Sequence, residues 1–354
     1  MAIERDFWSG RRVLLTGHTG FKGAWLSLWL QSLGARVTGL APAGPPTRPS
    51  LYELAGVSAG MARELAVDVR DREAVRLAVA AARPEIVLHL AAQPLVRRSL
   101  VDPVGTYEVN VMGTVNVLDA IRLAGEEVRA VVIVTSDKCY ENLGLGRPFA
   151  EGDPLGGSDP YSSSKGCAEL VTTAYRRSFF SSSDAPRVAS ARAGNVIGGG
   201  DWGEDRLIPD IIRAVATGKP IAVRNPEAVR PWQHVLNPLR GYLLLAQQLW
   251  RSPAAARGWN FGPPADDART VRAIVEILRE RWGPEAFAWE LDGSPSAPEA
   301  AHLVLDSSAA EERLGWRAGW DLERALERIV QWHQAHLRGE NMRLVTFDQI
   351  AEFS

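Results

Sequence analysis

Cysteine is nearly absent from this chain, with two in 354 residues, Cys139 and Cys167. Two such residues make neither a disulfide framework nor a metal site, and a reducing cytosol is the expected compartment. Cys139 reads as a small packing residue rather than a nucleophile. No apolar run approaches the length of a membrane span, and the N-terminus, Met1-Ala-Ile-Glu-Arg-Asp6, is too polar for a signal peptide. Neither sign of charge dominates: 40 Lys and Arg face 42 Asp and Glu, a net charge of −2. That balance gives no hint of a nucleic-acid or membrane surface, while leaving local basic clusters able to bind phosphates. The six histidines are scattered, and the pair His333 and His336 has no cysteine or carboxylate partner, so no metal is expected. Internal repeats are also missing.

What is present is alternation. Short apolar runs at 12–16, 35–40, 64–67, 86–90 and 128–135 read as buried strands. Helical stretches at 20–33, 72–82 and 103–124 fill the intervals. This βαβαβ order implies an α/β fold with a doubly wound parallel sheet of the Rossmann kind. A further helix is expected over 160–180 and a returning strand over 188–193. The proline-rich stretch 42–49 reads as an irregular excursion. After Gly198-Gly-Gly200 the alternation fades, which suggests a smaller C-terminal substrate-binding lobe. The expected division is 1–194 for the nucleotide-binding domain with the catalytic residues and 195–354 mainly for that lobe, interleaved with the first. From Asn341 onward the chain reads as an extra strand and tail, or as partly disordered.

Gly17-His18-Thr19-Gly20-Phe21-Lys22-Gly23 follows the first strand and opens the first helix. Glycines there let the backbone turn tightly and approach a pyrophosphate seated on the helix N-terminus, so a dinucleotide is expected. Asp68 and the Val69 amide, at the end of the third strand, are candidate adenine contacts, and Asp71 is a candidate helix cap. Leu90, Ala91, Ala92 and Gln93 end the fourth strand with small residues that allow a cofactor close. Asn110, inside an apolar helix, needs polar partners and is expected to bond backbone at the fourth or fifth strand. The second strand ends Thr38-Gly-Leu-Ala-Pro42 with no acid for a ribose 2′-hydroxyl. NAD over NADP is therefore not decided there, and Arg48 is a candidate for a 2′-phosphate.

Two segments carry chemistry. Thr135-Ser136-Asp137-Lys138 follows a buried strand, and Tyr161 and Lys165 stand at i and i+4 of the helix over 160–180. A lysine ammonium beside a phenol lowers its pKa and makes tyrosine a usable base.

These strings resemble the extended short-chain dehydrogenases/reductases that act on nucleotide sugars, over nearly the whole chain, and among them the 4,6-dehydratases. The resemblance rests on Thr16-Gly-His-Thr-Gly-Phe-Lys-Gly-Ala-Trp25, Ala91-Ala-Gln-Pro-Leu-Val-Arg97, Thr135-Ser-Asp-Lys-Cys-Tyr140 and Tyr161-Ser-Ser-Ser-Lys-Gly-Cys-Ala-Glu-Leu170. Two longer strings add to it, Arg192-Ala-Gly-Asn-Val-Ile-Gly-Gly-Gly-Asp-Trp202 and Arg230-Pro-Trp-Gln-His-Val235. It implies tightly held NAD and CDP-glucose as substrate, converted to CDP-4-keto-6-deoxy-glucose and water. Tyr161, with Lys165 and Ser136, would take the O4 proton, and Asp137 would protonate the departing C6 hydroxyl. Lys138 stands where dTDP-glucose dehydratases carry a glutamate that serves as C5 base. It is the base here, or it orients Asp137, or it is a surface lysine. Asn195, Arg206 and Arg230 are candidate ligands of the diphosphate or ribose, since guanidinium forks suit phosphate oxygens. Pro231 replaces an aspartate usual in that loop. Gln233 and His234 either contact the nucleotide or pack. A 4-epimerase shares the cofactor site and the Tyr/Lys pair, but has no use for an acid at Asp137. A non-catalytic cofactor-binding scaffold would not be expected to keep Ser136, Asp137, Tyr161 and Lys165 together. The resemblance also implies a homodimer, or a dimer of dimers, joined through the helices over 103–124 and 160–180.

Overall fold

The computed structural model describes residues 2–125, 127–142, 144, 146–292 and 303–354. Six strands of its central sheet come in chain order: β1 (Arg12–Thr16), β2 (Arg36–Ala41), β3 (Arg63–Ala66), β4 (Ile86–His89), β5 (Ala130–Val134) and β6 (Arg187–Arg192). A seventh, β7 (Gly258–Asn260), joins outside β6. The order across the sheet is 3-2-1-4-5-6-7, and every pairing is parallel. Each expected strand and crossover helix of the first half is present within a residue or two at its ends. β4 and β5 are buried at every position, as strands covered on both faces must be. The strand order reverses between β1 and β4, and in open α/β sheets ligands bind in the crevice that this reversal opens at the strands' carboxyl ends.

The crossover helices show why those faces are covered. In Arg72–Ala82 the buried residues are Val75, Ala78 and Val79, one stripe at helical spacing, with the rest exposed or partly so. Helix Phe21–Ser32 is different, because every residue from Gly23 to Leu30 is buried. Its second face is covered by helix Met342–Phe353, where Trp29 meets Phe353 edge to face at 5.7 Å. The end of the chain is therefore neither a strand nor a loose tail. Asn341 caps that last helix by accepting from the amides of Arg343 and Leu344, and Met342, Ile350 and Phe353 are buried. Sequence pattern alone hid this helix, since its apolar residues form no single stripe.

The second half divides its packing. Helix Leu236–Arg251 and β7 complete the core around the central sheet. A separate cluster, including Ile208, Ile211, Trp232, Ile274, Leu278, Leu326 and Ile329, forms the smaller lobe's interior. Short pairings run through that half: Val196–Ile197 with Gln233–His234, Val229–Pro231 with Ala268–Thr270, and Ile221–Val223 with Trp289–Leu291.

Candidate active site

The loop after β1 can close only with glycine. Gly17 has φ +73°, and a Cβ on it would stand 2.8 Å from Ala91 Cα in the loop after β4. A Cβ on Gly23 would run into the carbonyl of Gly17. Gly20 caps helix Phe21–Ser32 with no side-chain hydrogen bond, so the first-turn amides remain available to an anion. Thr16 ties the two loops together, since its Oγ1 accepts from the amides of Leu90 (3.2 Å) and Ala91 (3.1 Å). It also bonds His89 Nδ1 at 2.7 Å. Burial pushes His89 down to about 3, so this imidazole is neutral and structural.

His18 lies over β2, so close that a Cβ on Gly39 would meet its ring at 2.5 Å. Its Nε2 bonds Glu64 Oε1 at 2.9 Å, and Glu64 also accepts from Tyr52 Oη at 2.7 Å and from the Ser58 hydroxyl. A carboxylate therefore does stand beside β2, but on β3, whose Glu64 is in register with Gly39. Sequence reasoning missed it by looking along one strand. Arg48 is exposed and turned to its own loop, 3.6 Å from Glu53.

Asp68 is engaged by Arg70, whose Nη2 lies 2.7 Å from Oδ2 and whose amide donates to Oδ1 at 2.9 Å. The two line a cavity of about 650 Å³ with Glu108, Met112 and Asn116. Val69 is buried beneath Gly113, where a Cβ would come within 2.7 Å of it. Asp71 caps its helix through the Ala74 amide. Asn110 sits in a single wider, π-type turn, Glu108–Met112, inside the helical run from Pro103 to Leu123. Its Oδ1 accepts from the Gln93 amide at 2.8 Å, and its Nδ2 donates to Gln93 O (3.1 Å) and Ser164 Oγ (2.9 Å). It thus links the end of β4 to helix Pro160–Ser178. The Gln93 side chain is spent on Leu95 and Thr106. Narrow glycine turns, small alanines and an open helix start fit a dinucleotide in this crevice.

Beyond β5 the chain turns sharply. Ser136 is extended (φ −158°, ψ 159°) and caps a short turn over Asp137–Cys139. Ser136 Oγ donates to Asp137 Oδ1 at 2.8 Å, and the Lys138 amide donates to the same oxygen at 3.0 Å. Asp137 is buried while Lys138 is partly exposed. Helix Pro160–Ser178 starts cleanly, with Asp159 accepting from the Ser162 amide and Pro160 in the first turn. Tyr161 and Lys165 are both buried on its inner face, and Lys165 Nζ reaches Val134 O at 3.5 Å.

The electrostatics differ in one respect from expectation. Burial pushes the Tyr161 phenol up to about 12, and the pull downward comes from the Ser136 hydroxyl and the Arg206 guanidinium. The expected lowering by Lys165 does not lead, because desolvation dominates at a fully enclosed phenol. Burial also pushes Lys165 down to about 8, against the opposing fields of Cys139 and Glu169. The buried Cys139 thiol is pushed well up, which leaves it a packing residue. Lys22 joins this cluster: burial, then Lys165 and Arg206, push it down to about 8, with Asp137 opposing. Its ammonium lies 3.4 Å from the hydroxyl of Tyr242, a residue that sequence reasoning missed. Tyr242 stands among leucines on helix Leu236–Arg251 and carries no motif.

Arg206 is paired with Asp201 at 2.8 Å and faces Tyr161. Asn195 has φ +49°, and its carbonyl accepts from the Gln233 amide at 3.1 Å. Arg230 donates to Val229 O at 3.0 Å. Gln233 is buried and donates to Gly194 O (3.2 Å) and Phe261 O (2.9 Å). His234 is fully buried between the rings of Trp25 and Trp320. Both side chains are buried, whereas Arg206 comes to the cluster of Tyr161 and Lys22. Gly194, also unforeseen, lies directly against the Asp137 carboxylate.

Comparison with known proteins adds four relationships. Residues 13–257 match the NAD dependent epimerase/dehydratase family. A CDP-glucose 4,6-dehydratase of Salmonella typhimurium is 49% identical over 99% of this chain and 98% of its own. The NAD-bound crystal structure of a dTDP-glucose 4,6-dehydratase from Streptomyces venezuelae is 25% identical, with a TM-score of 0.78 over 94% of this chain and 99% of that one. A Thermus thermophilus UDP-glucose 4-epimerase in complex with NAD is 26% identical, with a TM-score of 0.78 over 91% and 99%.

Proposed function

Because the chain belongs to the NAD-dependent epimerase/dehydratase family, we propose that it converts CDP-glucose to CDP-4-keto-6-deoxy-glucose and water. It is an enzyme, and NAD is its cofactor. The observation that carries the dehydratase reading is the buried acid Asp137, fixed beside Ser136 in the pocket of Tyr161. An epimerase needs only a proton and a hydride moved at C4, and an acid there would be idle. The relative at 49% identity supports cytosine as the base.

The residues proposed to hold NAD are the turn Gly17–Gly23 with the first-turn amides behind it, Asp68 and Val69 at the adenine end, and Leu90, Ala91 and Ala92 along the floor, with Gln93 and Asn110 supporting that floor. When bound, NAD supplies the hydride acceptor for C4 and the hydride donor for C6, so no outside oxidant is consumed. Tyr161 takes the proton from the sugar O4, with Ser136 and Arg206 favouring its ionised form and Lys165 assisting as the cation one helical turn away. The resulting 4-ketone acidifies the C5 hydrogen. Lys138 is assigned as the group that removes it. Asp137 gives its proton to the C6 hydroxyl, the C6–O bond breaks, and water leaves. The proton held at Lys138 returns to C5 once C6 is reduced. Asn195, Arg206 and Arg230 are the proposed diphosphate ligands.

The proposed assembly is a homodimer through the helices Pro103–Leu123 and Pro160–Ser178. Exposed Val104, Met112, Leu123 and Leu170 on those helices support it. No described helix is long and apolar enough to cross a membrane. The proposed compartment is the cytosol, in keeping with two unpaired thiols.

The test is incubation of the purified protein and NAD with the glucose esters of CDP, dTDP, UDP and GDP, read by mass spectrometry. Loss of one water from CDP-glucose alone is the expected result. An unchanged mass with a new C4 epimer by NMR would make the protein an epimerase instead.

A further inference from the structure

Helix Pro160–Ser178 carries a third ionisable side chain in line with Tyr161 and Lys165. Glu169 is one further turn along, so the three stand at i, i+4 and i+8 on the inner face. Its side chain is 1% exposed, yet both oxygens are satisfied. Oε1 accepts from Thr135 Oγ1 at 2.5 Å, and Oε2 accepts from Ser190 Oγ at 2.6 Å and Arg192 Nη2 at 2.7 Å. Burial works to raise the Glu169 pKa, but Arg192, Ser190 and Thr135 overcome it, so the carboxylate is ionised. Arg192 is itself held, donating through Nη1 to Tyr140 Oη at 2.6 Å and to Glu151 O at 3.1 Å.

Two successive turns of the helix grip two successive residues at the end of β5. Lys165 takes the carbonyl of Val134, and Glu169 takes the hydroxyl of Thr135. The next two residues are Ser136 and Asp137, whose hydroxyl and carboxylate are bonded to each other. A shift of that strand end would move the acid directly.

The groups around Lys165 come from four elements. Cys139, from the turn after β5, is a thiol pushed well up and so neutral. His89, from β4, is pushed down to about 3 and neutral as well. Lys22, from the first crossover helix, repels Lys165. Glu169, on the helix that carries Lys165 itself, is the ionised carboxylate that acts on it. Around Glu169 itself stand Arg192 from β6, Arg176 from its own helix and Cys139.

We propose that Glu169 is a positioning residue for the proton-transfer site, anchoring the strand end that presents Ser136 and Asp137 and placing a negative charge one helical turn from Lys165. The proposal rests on the reading of Lys165 as the cation that serves Tyr161. A purely structural ion pair with Arg192 would affect folding and leave the pH dependence of turnover in place.

The experiment compares kcat/KM for CDP-glucose against pH in the wild type and in Glu169→Gln. Loss of the carboxylate should lower the midpoint of the alkaline decline by about one pH unit, a tenfold change in proton affinity. Thr135→Val, which removes the hydroxyl and no charge, should cut kcat with that midpoint unmoved. If Glu169→Gln does not fold because Arg192 is stranded, Glu169→Gln with Arg192→Gln removes both charges and should show the same lowered midpoint. An unmoved midpoint in whichever of these folds, or an undiminished kcat in Thr135→Val, overturns the proposal. A wild-type protein that leaves CDP-glucose untouched overturns the reading of the site beneath it.

Discussion

The carboxylate of Asp137 lies so close to the backbone of Gly194 that a Cβ at that position would fall inside it. Gly194 follows β6 and Asp137 follows β5, so two adjacent strands of the sheet fix the acid between them. Gln233 secures the arrangement from the smaller lobe by donating to the Gly194 carbonyl. Gly194→Ala must displace the carboxylate. Misplacing a catalytic group by about 1 Å lowers turnover roughly a hundredfold, so kcat should fall by that order while the melting temperature changes little. A kcat within a factor of two of wild type would mean that the exact seat of Asp137 does not matter.

Tyr161→Phe removes the proposed proton acceptor and keeps the ring that fills the helix face. Turnover should fall roughly a thousandfold. Binding of NAD, followed by calorimetry, should persist, since the glycine turn and the loop after β4 are untouched. A cofactor-binding scaffold with no catalytic role would show no change in its output.

Activity should decline as pH rises through about 8. Burial has already pushed both Lys165 and Lys22 to about that value, so their charge is lost there rather than near the ordinary lysine range. A kcat/KM profile from pH 6 to 10 measures it. Activity still climbing at pH 9.5 would exclude either ammonium from the working form.

Acid should destabilise the fold through three buried imidazoles. His89, His234 and His333 are each pushed down to about 3 by burial, against about 6.5 in an unfolded chain. Their contribution is complete above about pH 6.5 and is lost as pH falls towards 3, because the unfolded chain binds protons that the folded one refuses. At pH 5 each costs roughly 2 kcal/mol. Melting temperature should therefore drop clearly between pH 7 and pH 5, and the drop should shrink in His333→Phe. An unchanged melting temperature across that interval would show that these rings accept protons in the folded state.

Much of this arrangement was legible in the sequence, for a physical reason. Residues 13–15, 86–88 and 130–134 are continuous apolar runs because the strands are covered on both faces, and the glycine turn announces itself because no other residue fits between Gly17 and Ala91. Tyr161 and Lys165 stood out as candidates through their helical spacing together with the Thr135-Ser136-Asp137-Lys138 segment, since the spacing alone is common by chance. What stayed hidden depends on contacts between distant segments. Tyr242 reaches Lys22 across 220 positions, and Glu64 meets His18 across 46. Gln233 and His234 lie in a string that resembles a ligand loop, yet their side chains face the interior. The closing helix escaped notice because neighbours bury it from several sides, which erases the one-sided stripe by which helices are recognised.

The position of β7 has a consequence for how the molecule comes into being. Six strands are complete once residue 192 has been made, yet the outer edge of β6 has no partner until residues 258–260 arrive. Helix Phe21–Ser32 likewise waits for Met342–Phe353, more than three hundred residues later, before its second face is dry. A ribosome therefore releases the nucleotide-binding half as an unfinished sheet with a bare, sticky border. Truncation before residue 258 should leave aggregating material rather than a small cofactor-binding protein, and the chain's birth and its final closure are separated by nearly its whole length.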